Sequence, residues 1–172
     1  MINNTSNIIL IAMPGAGKST LGVVLAKILN YSFIDADLLI QSQCDKTLQK
    51  IIDACGPDGF IEVENEVLCT LSADQSVIAT GGSAVYSDEA MKHLSSIGTV
   101  VYLQVSLKEL EKRLGGLYER GVVMKDGIGM SLNALYEERI PLYEKYAEVT
   151  IDIDGLSVRD AARQLVDKLS MR

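Results

Sequence analysis

The sequence predicts an α/β fold: a five-stranded parallel sheet with helices on both faces. Five apolar, β-branched runs, at 7–11, 32–34, 77–80, 99–105 and 149–153, alternate with helical patterns at 18–29, 48–54, 60–71, 88–95, 107–114, 131–146 and 158–169. That alternation implies βαβ units and hence a parallel sheet. The junction between the first run and the first helical pattern adds a third observation. It reads Ile11-Ala12-Met13-Pro14-Gly15-Ala16-Gly17-Lys18-Ser19-Thr20, a strand, a glycine-rich turn, then a lysine and a hydroxyl at a helix start. This is the layout of a phosphate-binding P-loop.

In that loop, successive backbone N–H groups form a concave nest and the helix N-terminus adds partial positive charge. Residues Pro14, Gly15, Ala16, Gly17, Lys18, Ser19 and Thr20 are therefore expected to bind a nucleoside triphosphate. Lys18 reaches the outer phosphates and the Ser19 hydroxyl holds Mg²⁺. The strict pattern wants glycine where this chain has Ala12, and alanine there is expected to add strain or shift the loop slightly.

The second run ends in Phe33-Ile34-Asp35-Ala36-Asp37. Two carboxylates two residues apart on extended chain point to one side. One orders a Mg²⁺-bound water and the other holds or deprotonates a substrate hydroxyl, unless Asp37 caps the next helix. In the 60–71 pattern, Phe60, Val67, Leu68 and Leu71 form an apolar stripe with Glu64 in its middle. A carboxylate on a core-facing stripe needs a partner or a polar cavity. Glu64 is a site candidate, with an internal salt bridge as the rival reading, whereas Glu62 and Glu66 read as solvated.

The third run ends in Thr80-Gly81-Gly82-Ser83, where paired glycines let backbone approach a ligand closely. His93 stands alone on a predicted surface helix and reads as solvated. Residues 115–129 break the periodicity, with Gly115, Gly116, Gly121, Gly127 and Gly129 around Arg120 and Lys125. A basic glycine-rich loop between helices suits a lid that closes over phosphates, against the alternative of a plain surface connection. In the next pattern, Arg139-Ile140-Pro141-Leu142-Tyr143 places a cation suited to a carboxylate beside a proline expected to kink the helix. A surface salt bridge is the alternative for Arg139.

At 172 residues the chain makes one domain with a sizeable core. No run approaches a membrane span, and no charged-then-apolar leader is expected. A net charge of −7 argues against a nucleic-acid binder, without opposing ATP, which needs only local positive charge. The three cysteines, Cys44, Cys55 and Cys69, match no metal-ligand spacing and read as buried or semi-buried free thiols in a reducing cytosol. A cytoplasmic monomer is expected, with no nucleic-acid or membrane partner.

Together these motifs resemble the shikimate kinase family along nearly the whole chain. The resemblance implies a small P-loop kinase of the nucleoside-phosphate type, with an ATP-covering lid (115–129) and a substrate-binding helical segment (38–72). It implies ATP and Mg²⁺ as cofactors, with Lys18 on phosphate and Ser19 and Asp35 on Mg²⁺. It makes Asp37 the substrate-hydroxyl partner and base, Gly81 and Gly82 substrate contacts, and Arg120 the lid arginine. Arg139, in an R-x-P-L-Y motif, becomes the substrate-carboxylate arginine, and Arg113 sits beside the adenine.

Two further departures affect the substrate site. Ser83 stands where the family has a third glycine, and Ile61 stands where the family's F-R-x-x-E motif has its substrate arginine. A charge-assisted contact is worth about 1.5–3 kcal/mol, so Ile61 weakens shikimate binding while Arg139 sustains it. The loss also leaves Glu64 without its positive neighbour. The expected reaction is ATP-dependent phosphorylation of a hydroxyl on a small carboxylate metabolite, shikimate first. An amino hydroxy acid such as homoserine is second, its ammonium matching Asp37 and Glu64. A non-catalytic nucleotide-binding protein is the third reading. Ala12, Ile61 and Ser83 favour it; Lys18, Asp37, Arg120 and Arg139 oppose it.

Overall fold

The computed structural model of the chain describes residues 7–114 and 131–171; the expected lid at 115–129 lies outside the described residues. Among these residues, five strands, β1 (Asn7–Ile11), β2 (Ser32–Asp35), β3 (Ser76–Ala79), β4 (Gly98–Gln104) and β5 (Val149–Asp152), form one parallel sheet in the order β2-β3-β1-β4-β5. The register is continuous: Ile9 pairs with Ile78 of β3 on one side and Val100 of β4 on the other. Every residue of β1 is buried, as a central strand covered on both faces requires. Asn7 is the polar exception. It sits at the strand's start and is satisfied by bonds to Ala73 O, Ile97 O and Ser76 N.

Among the described residues, seven α-helices surround the sheet: α1 (Lys18–Leu29), α2 (Ala36–Cys44), α3 (Leu48–Cys69), α4 (Asp88–Ile97), α5 (Leu107–Leu114), α6 (Leu132–Tyr146) and α7 (Val158–Ser170). α1 packs on α7, and α3 on α4. The caps are local chemistry: Thr47, Ser87, Ser131 and Ser157 each accept a first-turn N–H through the side-chain oxygen. Most apolar side chains join one core on the sheet, while Ile40, Ile51, Phe60 and Val67 form a second, smaller core between α2 and α3.

Some expectations hold and others change. The two patterns at 48–54 and 60–71 hold as two helices that abut: α3 breaks at Gly56, whose φ of 74° and ψ of 175° are not helical, and Pro57 opens its second half, so only the start of the second pattern moves. α6 carries Pro141 in its interior, where it has no N–H for the ladder, as expected, and runs on to Tyr146. His93 is half-buried and its Nε2 lies 2.8 Å from Leu71 O, which removes it from the solvated class. Cys55 is exposed, whereas Cys44 and Cys69 are half-buried; all three are free thiols.

Candidate active site

The useful residues follow the carboxyl ends of the strands, where a parallel sheet holds its ligands. After β1 the chain turns through Gly15 (φ 78°) and Gly17 (φ 89°), left-handed conformations that a side chain resists. Gly17 is the N-cap of α1 and contributes no side-chain cap. The first N–H groups of α1 are thereby left for an anion. Ala12 is fully buried and is absent from the residues with positive φ, so the expected strain does not arise: the backbone there suits any residue.

Lys18 does not extend outward in this structure. Its Nζ donates to Ala12 O at 3.1 Å and Met13 O at 3.2 Å, folding the ammonium across its own loop. Burial pushes its pKa down to about 8, against the opposing pull of Asp37 and with Arg139 adding to the depression. An ammonium so placed gains charge stabilisation when phosphate arrives.

The two aspartates divide their work differently from the extended-strand reading. Asp35 ends β2 and is itself the N-cap of α2, its Oδ1 accepting from Asp37 N (3.0 Å) and Leu38 N (3.4 Å). Asp37 is therefore not the cap; it lies in the first turn of α2. The other Asp35 oxygen, Oδ2, accepts from Ser19 Oγ at 2.8 Å, joining the P-loop hydroxyl to a carboxylate. Burial, and then the neighbouring Asp35 charge, raise the pKa of Asp37. Both aspartates line one cavity of about 360 Å³ together with Lys18, Thr80, Gly81 and Gly82.

Glu64 is 1% exposed, and its carboxylate lies against Gly81, which lines that cavity. Its Oε2 accepts from Ser83 Oγ at 2.6 Å, while Oε1 has no hydrogen-bond partner among the described residues. Burial pushes its pKa up to about 7; the Ser83 bond opposes this and Asp37 reinforces it. A Cβ placed on Gly81 would strike Glu64 Oε1 and come within 3.2 Å of Asp37 Oδ1. The two carboxylates thus converge on the glycine. At Gly82 a Cβ would lie 2.7 Å from Arg139 Nη1. Paired glycines are needed here for close approach.

Arg139 is 1% exposed, which rules out a surface salt bridge. Its Nε donates to Tyr86 Oη at 3.1 Å. The Tyr143 hydroxyl donates to Gly82 O at 2.8 Å, and the Tyr143 ring stacks on Tyr102, with centroids 5.2 Å apart. Sequence reasoning left Tyr86 and Tyr143 without roles. Tyr143 had a signal, its position four residues after Arg139 on one helix face; Tyr86 had none beyond following the glycine turn. Ile61, one residue after buried Phe60, is half-buried.

Arg113, on α5, donates through Nη1 to Ala16 O at 3.0 Å and through Nε to Glu109 at 2.9 Å. It lines a cavity of about 230 Å³ on the far side of the P-loop, with Gly15, Thr20, Ile153, Leu156 and Val158. The segment after β5 is a wall that the sequence did not announce. Arg120 lies outside the described residues. Among the described residues no cluster of three or more His, Cys, Asp or Glu forms a metal site, and no helix is long and apolar enough to cross a membrane.

Comparison with known proteins gives this geometry a family. The shikimate kinase family model matches residues 14–170. The shikimate kinase of Francisella tularensis subsp. novicida is 38% identical over 168 residues, 96% of this chain and 93% of that protein. That of Vibrio parahaemolyticus is 36% identical over 167 residues, 96% and 97% of the two chains. The structure of shikimate kinase from Acinetobacter baumannii in complex with shikimate aligns with a TM-score of 0.87 at 30% identity, covering 99% of this chain and 96% of that one. A gluconokinase from Sinorhizobium meliloti, at TM-score 0.54 and 19% identity, shares the fold alone. The chain belongs to the shikimate kinase family and is an ATP-dependent small-molecule kinase.

Proposed function

We propose that this chain transfers the γ-phosphoryl group of ATP to a hydroxyl of shikimate, giving shikimate 3-phosphate. The observation that carries the reading is the single cavity in which Lys18, Asp37, Gly81 and Gly82 meet, with the Arg139 guanidinium against Gly82. In this proposal the loop from Pro14 to Thr20 holds the phosphates and Arg113 flanks the nucleotide base. Arg139, Gly81, Gly82, Ser83 and Glu64 hold the substrate on the 38–72 segment side. Asp37, its carboxylate raised in basicity by burial, accepts the hydroxyl proton as the oxygen attacks. Lys18 swings from its carbonyl partners to the transferring group and offsets the charge that develops there. Arg120 adds charge from the 115–129 lid.

Ser19 and Asp35 present a hydroxyl and a carboxylate oxygen 2.8 Å apart. These hard oxygen donors suit Mg²⁺, which takes one or two protein oxygens beside waters and phosphate oxygens. When bound, the ion neutralises charge on the phosphates.

A second reading has its own observation. Glu64 Oε1 lacks a partner among the described residues while Ile61 supplies no charge, which favours an ammonium-bearing hydroxy acid such as homoserine. ADP release from the purified protein with Mg-ATP, comparing shikimate with homoserine and a panel of hydroxy acids, separates the two. Turnover with shikimate and none with homoserine is expected. Turnover with an amino acid alone would replace the first reading by the second.

A further inference from the structure

The Arg139 guanidinium has one of its anchors outside the catalytic cavity. Its Nε donates to Tyr86 Oη at 3.1 Å and its Cζ lies 5.1 Å from the centre of the Tyr86 ring. The same hydroxyl lies 2.6 Å from Glu138 Oε1. Chemistry fixes the directions of these bonds. An arginine N–H cannot accept, so the phenol oxygen accepts from it and the phenol hydrogen goes to the carboxylate. Glu138 therefore sets the rotor of Tyr86, and Tyr86 on one side, with the Tyr143 hydroxyl on the other, sets the rotation of the guanidinium. With Nε committed, Nη1 is turned to Gly82, the residue that lines the phosphate-side cavity. Tyr86 and Glu138 belong instead to a surface groove of about 450 Å³, beside Asp88, Lys145 and Tyr146.

We propose that Tyr86 is a positioning residue for Arg139, locked by Glu138, so that recognition of the substrate carboxylate depends on a phenol–carboxylate pair outside the cavity. This rests on the reading of Arg139 as the carboxylate-binding residue. A planar fork recognises a carboxylate only in the correct orientation, and Tyr86 contributes to that orientation by one bond and one ring face, beside the bond to Tyr143.

The test is steady-state kinetics of Tyr86→Phe, Glu138→Ala, Glu138→Gln and Arg139→Lys, with melting curves for each. Tyr86→Phe keeps the ring and removes the acceptor. Its KM for shikimate rises about tenfold, with kcat within about twofold and KM for ATP unchanged. Glu138→Ala raises KM by a smaller factor, and Glu138→Gln, which keeps an oxygen acceptor, restores it to within about twofold. Tyr86→Phe with an unchanged KM overturns the proposal if Arg139→Lys raises it. If Arg139→Lys also leaves KM unchanged, the reading of Arg139 falls and takes the proposal with it. Should Tyr86→Phe not fold, the Ala–Gln comparison at Glu138 decides: equal KM values for the two overturn the proposal.

Discussion

Glu64 carries a buried carboxylate whose single described hydrogen-bond partner is Ser83. Its folded pKa of about 7 lies above its ordinary value of 4.5. Between these values the folded chain holds a proton that the unfolded chain has released. Stability is therefore highest below pH 4.5 as far as this group is concerned, and it falls as pH rises through the window to 7. The full effect is on the order of 3 kcal/mol. Glu64→Gln keeps an acceptor for Ser83 and removes the titration. It is expected to raise the melting temperature of the ligand-free protein by about 5 °C at pH 8 and little at pH 5. An equal shift at both values would mean that Glu64 does not titrate in this window. The position was legible in the sequence, because helical spacing put a carboxylate among Phe60, Val67 and Leu68. Its partner was not. Ser83 is distant in sequence, and only the packing of α3 against the turn after β3 brings the two side chains together. Tyr86 was hidden for the same reason.

At the level of elements, the P-loop stood out because its constraint is local: positive φ at Gly15 and Gly17, then a lysine and a hydroxyl. The Ala12 departure brings no backbone strain on the same local grounds, since no left-handed backbone is demanded there. Ala12→Gly is accordingly expected to leave KM for ATP within about twofold. It should lower stability by about 1 kcal/mol, through backbone freedom gained in the unfolded chain and a lost buried methyl group. A tenfold gain in ATP affinity would show that the alanine does distort the loop. α2 was legible only as the helix that Asp37 would cap and as part of the 38–72 segment; its period and its bounds were not. Its nine residues bury only Ala36 and Ile40, too few to make a helical period, and its start is set by Asp35, whose side chain was assigned to metal alone. Asp35 serves both ends: one oxygen caps α2 and the other meets Ser19.

For the molecule as a whole, alternation of runs gave a parallel sheet, but not the strand order. Pairing of β3 with both β1 and β2 is decided by crossover packing rather than by anything within the runs. What the order does is bring the ends of β1, β2 and β3 side by side, so that Lys18, Asp37 and Gly81 share a cavity although α1, α3 and their loops separate them in sequence. Ligand binding at that junction links three strands and should register in global stability. Shikimate at about 100 times its Kd, with a non-hydrolysable ATP analogue present, stabilises by about 2.7 kcal/mol, or about 5–10 °C in melting temperature. Ile61→Arg restores a cation beside Glu64. It should tighten shikimate about tenfold and add about 3–5 °C at the same ligand concentration, because the guanidinium joins Arg139 on the carboxylate. Homoserine should shift neither protein. If homoserine stabilises the parent chain and Ile61→Arg abolishes that shift while conferring one with shikimate, then Glu64 binds an ammonium in the natural site. In that case the loss of one arginine has changed the substrate without changing the fold.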